Sequence, residues 1–150
     1  MLRDWVALAE RLGVATAFAA EAWWSDAVTP LAYLAAHTER IQLGTGIMQV
    51  TARAPAMTAM TALTLHDLTG GRFILGLGAS GPQVVEGLHG VAFNPALTRL
   101  RETVEVCRLI FAGEKVVYEG KTLTIPRPGG QGKALRIDHA PATIPIYLAT

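Results

Sequence analysis

The stretch Gly70-Gly71-Arg72-Phe73-Ile74-Leu75-Gly76-Leu77-Gly78-Ala79-Ser80-Gly81-Pro82-Gln83 constrains the fold more than any other part of the chain. Gly70-Gly71 supplies a turn. Phe73 to Leu77 is too short and too continuously apolar for an exposed strand, and it suits a parallel strand buried on both faces. Gly76, Gly78 and Gly81 remove side chains where the backbone must bend. Pro82 suits the first position of a helix, where its missing N–H costs nothing. Such a strand-to-helix junction aims free backbone N–H groups and the positive end of a helix dipole at one point, which is a natural anion site. Tight junctions also favour glycine for steric reasons alone. The stretch therefore constrains topology more firmly than chemistry.

The remaining chain alternates around it. Residues 2–12 read as a helix with Trp5, Leu8, Ala9 and Leu12 on one stripe and Gly13 as its stop. Residues 14–20 read as a strand and 21–27 as a loop, and Thr29-Pro30 opens a helix running to about His37. Ile41 to Val50 is a strand interrupted by Gly44 and Gly46, followed by a helix from Pro55 to Leu68. After the central strand comes a short helix from Pro82 to about Leu88. A longer helix follows Asn94-Pro95, with Leu97, Leu100, Val104, Cys107 and Phe111 as its apolar face and Gly113 at its end. Val116–Tyr118 and Lys121–Ile125 form a predicted hairpin on the two-residue turn Glu119-Gly120. Residues 126–143 read as irregular, and Ile144 to Ala149 as a last apolar strand. Strands alternating with helices imply an α/β fold with a parallel sheet and right-handed crossovers. The longer, more polar loops follow the strands, which places chemistry at the strands' C-terminal ends.

Composition narrows the classes of function. The chain has the length of one domain, and with 51% hydrophobic and 17% charged residues it can build a core. A net charge of +1 without a basic run gives no reason for a nucleic-acid partner. No run approaches the roughly 18 apolar residues of a membrane span. A single cysteine, Cys107, fits a reducing cytoplasm and reads as a core thiol. The four histidines lack metal-ligand spacing, so no metal is expected. His37 and His66 read as structural, Met57 and Met60 as packing residues, and His89 as a site candidate.

Three segments are candidates for chemistry. Gly76-Leu-Gly-Ala-Ser-Gly81 matches G-x-G-x-x-G, but no strand ending in an acidic residue follows; that region is the helix around Arg101-Glu102. A dinucleotide-binding reading therefore fails its context, while Ser80, Gly81 and Gln83 remain candidate phosphate contacts. Gly44 and Gly46 within Leu43–Gln49 imply either a bulge that serves a ligand or a plain kink. Glu21 and Asp26 lie beside Trp23 and Trp24. They suit proton transfer or the polar edge of a ligand, or equally a solvated loop. The tryptophans suit a planar ligand, a packed rim or an oligomer interface.

The runs Thr38–Ile47, Ala52–Pro55 and Gly70–Gly78 together resemble the bacterial luciferase-like monooxygenase superfamily. The continuation Ser80-Gly-Pro-Gln-Val-Val-Glu-Gly87 is similar to its deazaflavin-dependent branch, which includes methylenetetrahydromethanopterin reductases. The resemblance implies a TIM (β/α)8 barrel that binds coenzyme F-420 (an 8-hydroxy-5-deazaflavin), or FMN in sister branches, at the C-terminal ends of its strands. It implies a non-proline cis peptide at Gly46-Ile47 under the ring, flanked by Thr45 and Gln49. It gives Ser80, Gly81, Pro82 and Gln83 to the cofactor phosphate, and it places Glu21 and Asp26 as acids near the reactive face. The implied activity is hydride transfer between the cofactor and a small organic substrate. The alternatives are an FMN-dependent monooxygenase and a non-catalytic fragment acting in binding or assembly. The strand-2 loop has no histidine, so the substrate of the sugar-phosphate dehydrogenase branch is not implied. Residues 1–150 correspond to one incomplete barrel domain, strands 2–5 with an inserted hairpin, lacking strand 1 and the C-terminal half. Such an open half-barrel is expected to bind cofactor poorly by itself and to self-associate, as a homo-oligomer or dimer, through its edges.

Overall fold

A computed structural model describes residues 1–149. Its elements in order are α1 (Leu2–Arg11), β1 (Thr16–Ala19), α2 (Val28–Ala35), β2 (Gln42–Thr45), β3 (Met48–Gln49) and α3 (Pro55–Leu68). They continue with β4 (Phe73–Gly78), α4 (Pro82–Val85), α5 (Ala96–Phe111), β5 (Tyr118–Glu119), β6 (Thr124–Ile125) and β7 (Ile146–Ala149). No described helix is long and apolar enough to cross a membrane.

The main sheet is wholly parallel, with β4 at its centre. β2 and β3 lie end to end along one side of β4, β1 pairs with β2, and β7 pairs with the other side of β4. All six residues of β4 are buried, as its unbroken apolar run requires. One face of the sheet is covered by helices. Leu43, Leu75 and Leu77 pack there with Leu34 of α2, Ala62 and Leu65 of α3, and Val106, Cys107 and Ile110 of α5. Each fully buried leucine or phenylalanine contributes about 1.5–3 kcal/mol relative to exposure. Burial also pushes the Cys107 thiol up to about 12, so it stays protonated and belongs to the core.

The other face is concave. Phe18 on β1 and Tyr147 on β7 are half exposed, yet their ring centroids are 6.4 Å apart. Three strand spacings in a flat sheet would separate them by about 14 Å. The glycines between them permit this approach: a Cβ on Gly44 would lie 2.6 Å from the Phe18 ring.

Several expectations need correction. On α1, Val6 and Ala9 face the core, while Trp5, Leu8 and Leu12 are exposed. Met57 and Met60 lie on the exposed side of α3, which buries Thr58, Ala59, Ala62, Leu63 and Leu65 instead. Leu97 is also exposed and borders a cavity instead of the core. The α4 helix stops at Val85 rather than Leu88. The hairpin pairs Tyr118 with Ile125 and Glu119 with Thr124, so its connection is the four residues 120–123. The cause is Glu102, a fully buried carboxylate on α5 that accepts from the Lys121 and Thr122 N–H groups and the Thr122 hydroxyl.

A second carboxylate fastens α1. Glu10 accepts from three successive N–H groups, of Glu39, Arg40 and Ile41, at 3.0, 2.7 and 2.8 Å. The Ile41 and Arg40 N–H groups hold its pKa down, to about 2. A pKa depressed on folding adds stability above the ordinary carboxylate range, and that stability is lost as pH falls toward 2. Glu10→Gln is therefore expected to lower stability at pH 7 by about 1 kcal/mol, with solvent screening of this partly exposed site allowed for. The gap from wild type should narrow as pH falls toward 2; urea titrations at pH 7 and near pH 2 measure it.

Candidate functional site

The registers of β2 and β3 against β4 reveal a bulge. Gly44 faces Ile74 while Met48 faces Leu77, so three residues, Thr45, Gly46 and Ile47, stand opposite two, Leu75 and Gly76. The hydrogen-bond parity flips across it. Before the bulge Gly46 N–H reaches toward β1 and Leu43 N–H toward the β4 side; after it Val50 N–H bonds Gly78 on β4. The Gly46–Ile47 peptide is cis, the geometry implied by the resemblance. Gly46 and Ile47 reach solvent at the C-terminal end of the sheet.

Side chains complete the ladder on both flanks of this bulge. On the β4 flank the Thr45 hydroxyl donates to Gly76 C=O at 2.7 Å and accepts from Gly76 N–H at 2.9 Å. On the β1 flank, where β1 has ended, Glu21 Oε1 accepts from Gln49 N–H at 3.0 Å. Gln49 Nε2 in turn donates to Glu21 C=O at 3.1 Å. Thr45 and Gln49 are both essentially inaccessible, so they support the exposed peptide from within. The Gln49 Oε1 atom is buried and has no hydrogen-bond partner.

Glu21 is itself enclosed. Arg53 binds it in a two-pronged pair, 2.6 Å to Oε1 and 2.8 Å to Oε2, and Ala27 N–H donates to Oε2 at 3.2 Å. Burial pushes the carboxyl up, but the Arg53 guanidinium and the two N–H groups outweigh it and hold the pKa below the ordinary range. Asp26 acts elsewhere, at the start of α2, where it accepts from Thr29 N–H at 2.7 Å, and that bond lowers its pKa. The two acids therefore share one loop, and each is held as a carboxylate by its own partners. Arg53, absent from the sequence-based candidates, is the unexpected member. Its only signal is a lone cation, four residues after Gln49, in an otherwise uncharged segment.

The glycine junction completes the opposite side. Ser80 has φ +59°, a left-handed conformation uncommon for a non-glycine residue. Gly81 precedes α4 and its carbonyl accepts from Val84 and Val85, while Pro82 and Gln83 are exposed in the first turn. Beside Ser80 lies a cavity of about 650 Å³, bounded below by Ile47, Gly78 and Ala79 and laterally by Phe93 and the first turn of α5. No side chain caps α5, so its first N–H groups lack partners within the helix. A shallower hollow of about 320 Å³ lies between Glu21–Asp26, Gln49–Arg53 and Leu88–His89, with Trp23 and Trp24 exposed at its edge. It contains His89, the histidine retained from the sequence. Among the described residues no cluster suits a metal ion.

A parallel β/α sheet with its bulge, glycine junction and cavity all at the C-terminal strand ends is the layout of a (β/α) barrel, whose functional face lies at those ends. The profile of the luciferase-like monooxygenase family matches residues 1–150, and the chain belongs to that family. It is 49% identical over 150 residues to the Mycobacterium tuberculosis protein named "Putative coenzyme F420-dependent oxidoreductase Rv3520c", covering 95% of this chain and 43% of that protein. Among solved structures, the coenzyme F420-dependent tetrahydromethanopterin reductase of Methanopyrus kandleri superposes with a TM-score of 0.77 at 25% identity, covering 98% of this chain and 45% of that one. The monooxygenase RslO1 of Streptomyces bottropensis gives 0.79 at 26% identity, covering 99% and 46%. The chain thus spans less than half the length of these relatives, with the sheet and helices of part of a TIM barrel.

Proposed function

We propose that this chain provides the cofactor bed of an oxidoreductase that transfers a hydride between coenzyme F-420 and a small organic substrate. The observation that carries the reading is the exposed Gly46–Ile47 bulge at the foot of the 650 Å³ cavity. The residues fit a flat ring with an anionic tail. Gly78 keeps the bed low, since a Cβ there would lie 2.8 Å from Ile47 Cγ1. The cavity is mostly apolar, with Ser80, Asn94 and Thr98 as polar groups, and its volume falls within the usual range for a ligand site. Ser80, Gly81, Pro82 and Gln83 with the uncapped start of α5 would receive the phosphate, and Gly46 and Ile47 would lie under the ring. When bound, the deazaflavin supplies a hydride-carrying C5. The chain's own part is orientation: Thr45, Gln49 and Glu21 hold the bed, and the tryptophan-edged hollow receives substrate. The named similarity to an F420-dependent oxidoreductase supports this reading.

The second reading, an FMN-dependent monooxygenase, draws support from the likeness to RslO1. Parallel fluorescence titrations with F-420 and FMN separate the two. F-420 is expected to bind at lower concentration; tighter FMN binding would transfer the assignment to the monooxygenase branch. Weak binding is expected of an open half-barrel; a chain that shows not even weak binding of either would overturn the cofactor-bed reading.

A further inference from the structure

We propose that Glu21 is a positioning residue whose carboxylate replaces the missing stretch of strand beside β3 and so fixes the Gly46–Ile47 bed, with Arg53 as its counter-charge. The proposal rests on the cofactor reading above, because the bed's position matters to function only if a ring lies on it.

The ladder shows why a substitute is needed. The last bond from β1 is Ala19 C=O to Gly46 N–H, at 2.8 Å. The bulge then changes the parity of the strand, so Gln49 N–H points to the side that β1 has already left. A buried N–H without an acceptor is costly. Glu21, two residues beyond the end of β1, returns its side chain to that N–H and its own carbonyl to the Gln49 amide. The two contacts join loop and strand as a strand pair would. The Ala27 N–H contact ties the same carboxylate to the start of α2, and Arg53 ties it to the segment leading into α3. One carboxylate therefore ties the β1–α2 connection to β3 and to the β3–α3 connection, next to the bulge. Its lone pairs are already engaged by four donors, and its side chain is 7% exposed. This geometry suits holding a backbone and leaves no lone pair aimed at a substrate.

An ion pair and a ladder substitute predict different outcomes when the charges are exchanged. The test uses the purified chain, with amide hydrogen exchange read at Gln49, Ala27 and Leu75 alongside F-420 titration. Glu21→Ala is expected to speed exchange at Gln49 and Ala27 at least tenfold and to weaken F-420 binding at least tenfold. Leu75 in β4, bonded to Pro145 C=O, should stay protected. The double exchange Glu21→Arg with Arg53→Glu restores opposite charges but puts donors where Gln49 and Ala27 need an acceptor, so it should restore neither readout. Recovery of both by the double exchange would overturn the proposal, as would unchanged Gln49 exchange in Glu21→Ala. If Leu75 loses protection in Glu21→Ala, the bulkier Glu21→Met, which fills the space but offers no oxygen acceptor, is read by the same criteria. A wild-type chain that binds neither F-420 nor FMN defeats the proposed function, and the exchange arm then decides the positioning role alone.

Discussion

Replacing Gly76 with alanine is expected to abolish the native fold. A Cβ at this position would lie 1.8 Å from the Thr45 carbonyl oxygen, a backbone atom inside the sheet. The Thr45 hydroxyl also brackets Gly76, donating to its C=O and accepting from its N–H. Nothing flexible can yield. Relief requires β2 and β4 to separate, which breaks the ladder at the centre of the core. The cost should exceed about 4 kcal/mol, a large share of the stability of a domain this size. Far-UV circular dichroism with urea titration would show loss of the cooperative transition; a midpoint near that of wild type would show the strands are not so closely apposed. Gly78→Ala is the instructive contrast. Its Cβ would meet Cγ1 and Cδ1 of Ile47, at 2.8 and 3.0 Å, and those are side-chain atoms that can rotate. The fold should survive while Ile47 shifts, so the damage should appear in cofactor affinity.

Glu102→Ala should produce the second largest loss. The carboxylate is 1% exposed and serves Lys121 N–H, Thr122 N–H and the Thr122 hydroxyl. Alanine leaves those donors without their acceptor and opens a space between α5 and the hairpin. A cost of about 3 kcal/mol follows from losing hydrogen bonds to a buried carboxylate and leaving their donors unpaired. Burial pushes the Glu102 carboxyl up, yet the Thr122 and Lys121 donors win and leave its pKa lowered. A group depressed on folding stabilises above its unfolded pKa, about 4.5, and ceases to do so as pH falls through the folded value. The difference between wild type and Glu102→Ala should therefore be full at pH 7 and shrink below pH 4. Gly120 belongs to the same arrangement, since a Cβ there would lie 2.6 Å from Glu102 Cδ.

What can be read from the sequence follows the range of the interactions involved. The buried strand Phe73–Gly78, the helix Pro55–Leu68 and the β/α alternation rest on local periodicity and on glycine and proline punctuation, and the structure has them. The family resemblance rests on contiguous motifs, and the family match agrees with it. Apart from the end of α4, the features that differ depend on contacts distant in sequence. Trp5, Leu8 and Leu12 have helical spacing, yet only their neighbours Val6 and Ala9 meet the core. The hairpin turn departs from its expected place because Glu102 dictates it from a helix nearly twenty residues earlier. At the site, strand-breaking glycines locate Gly46 and Ile47. That Thr45, Gln49 and Glu21 serve from beneath has no local signature, because their partners Gly76 and Arg53 are about thirty residues away.

The two side-chain splices around the bulge also divide the molecule into parts that can change at different rates. The bulge is backbone, held by the side chains of Thr45, Gln49 and Glu21, with Arg53 paired to Glu21. Trp23, Trp24, Leu88 and His89 stand on loops around the hollow that Glu21, Gln49 and Arg53 also line, and they supply no rung of the sheet. Under the proposed cofactor reading, substitutions at that rim would change what the hollow admits while leaving the hydrogen bonds that hold the bulge in place.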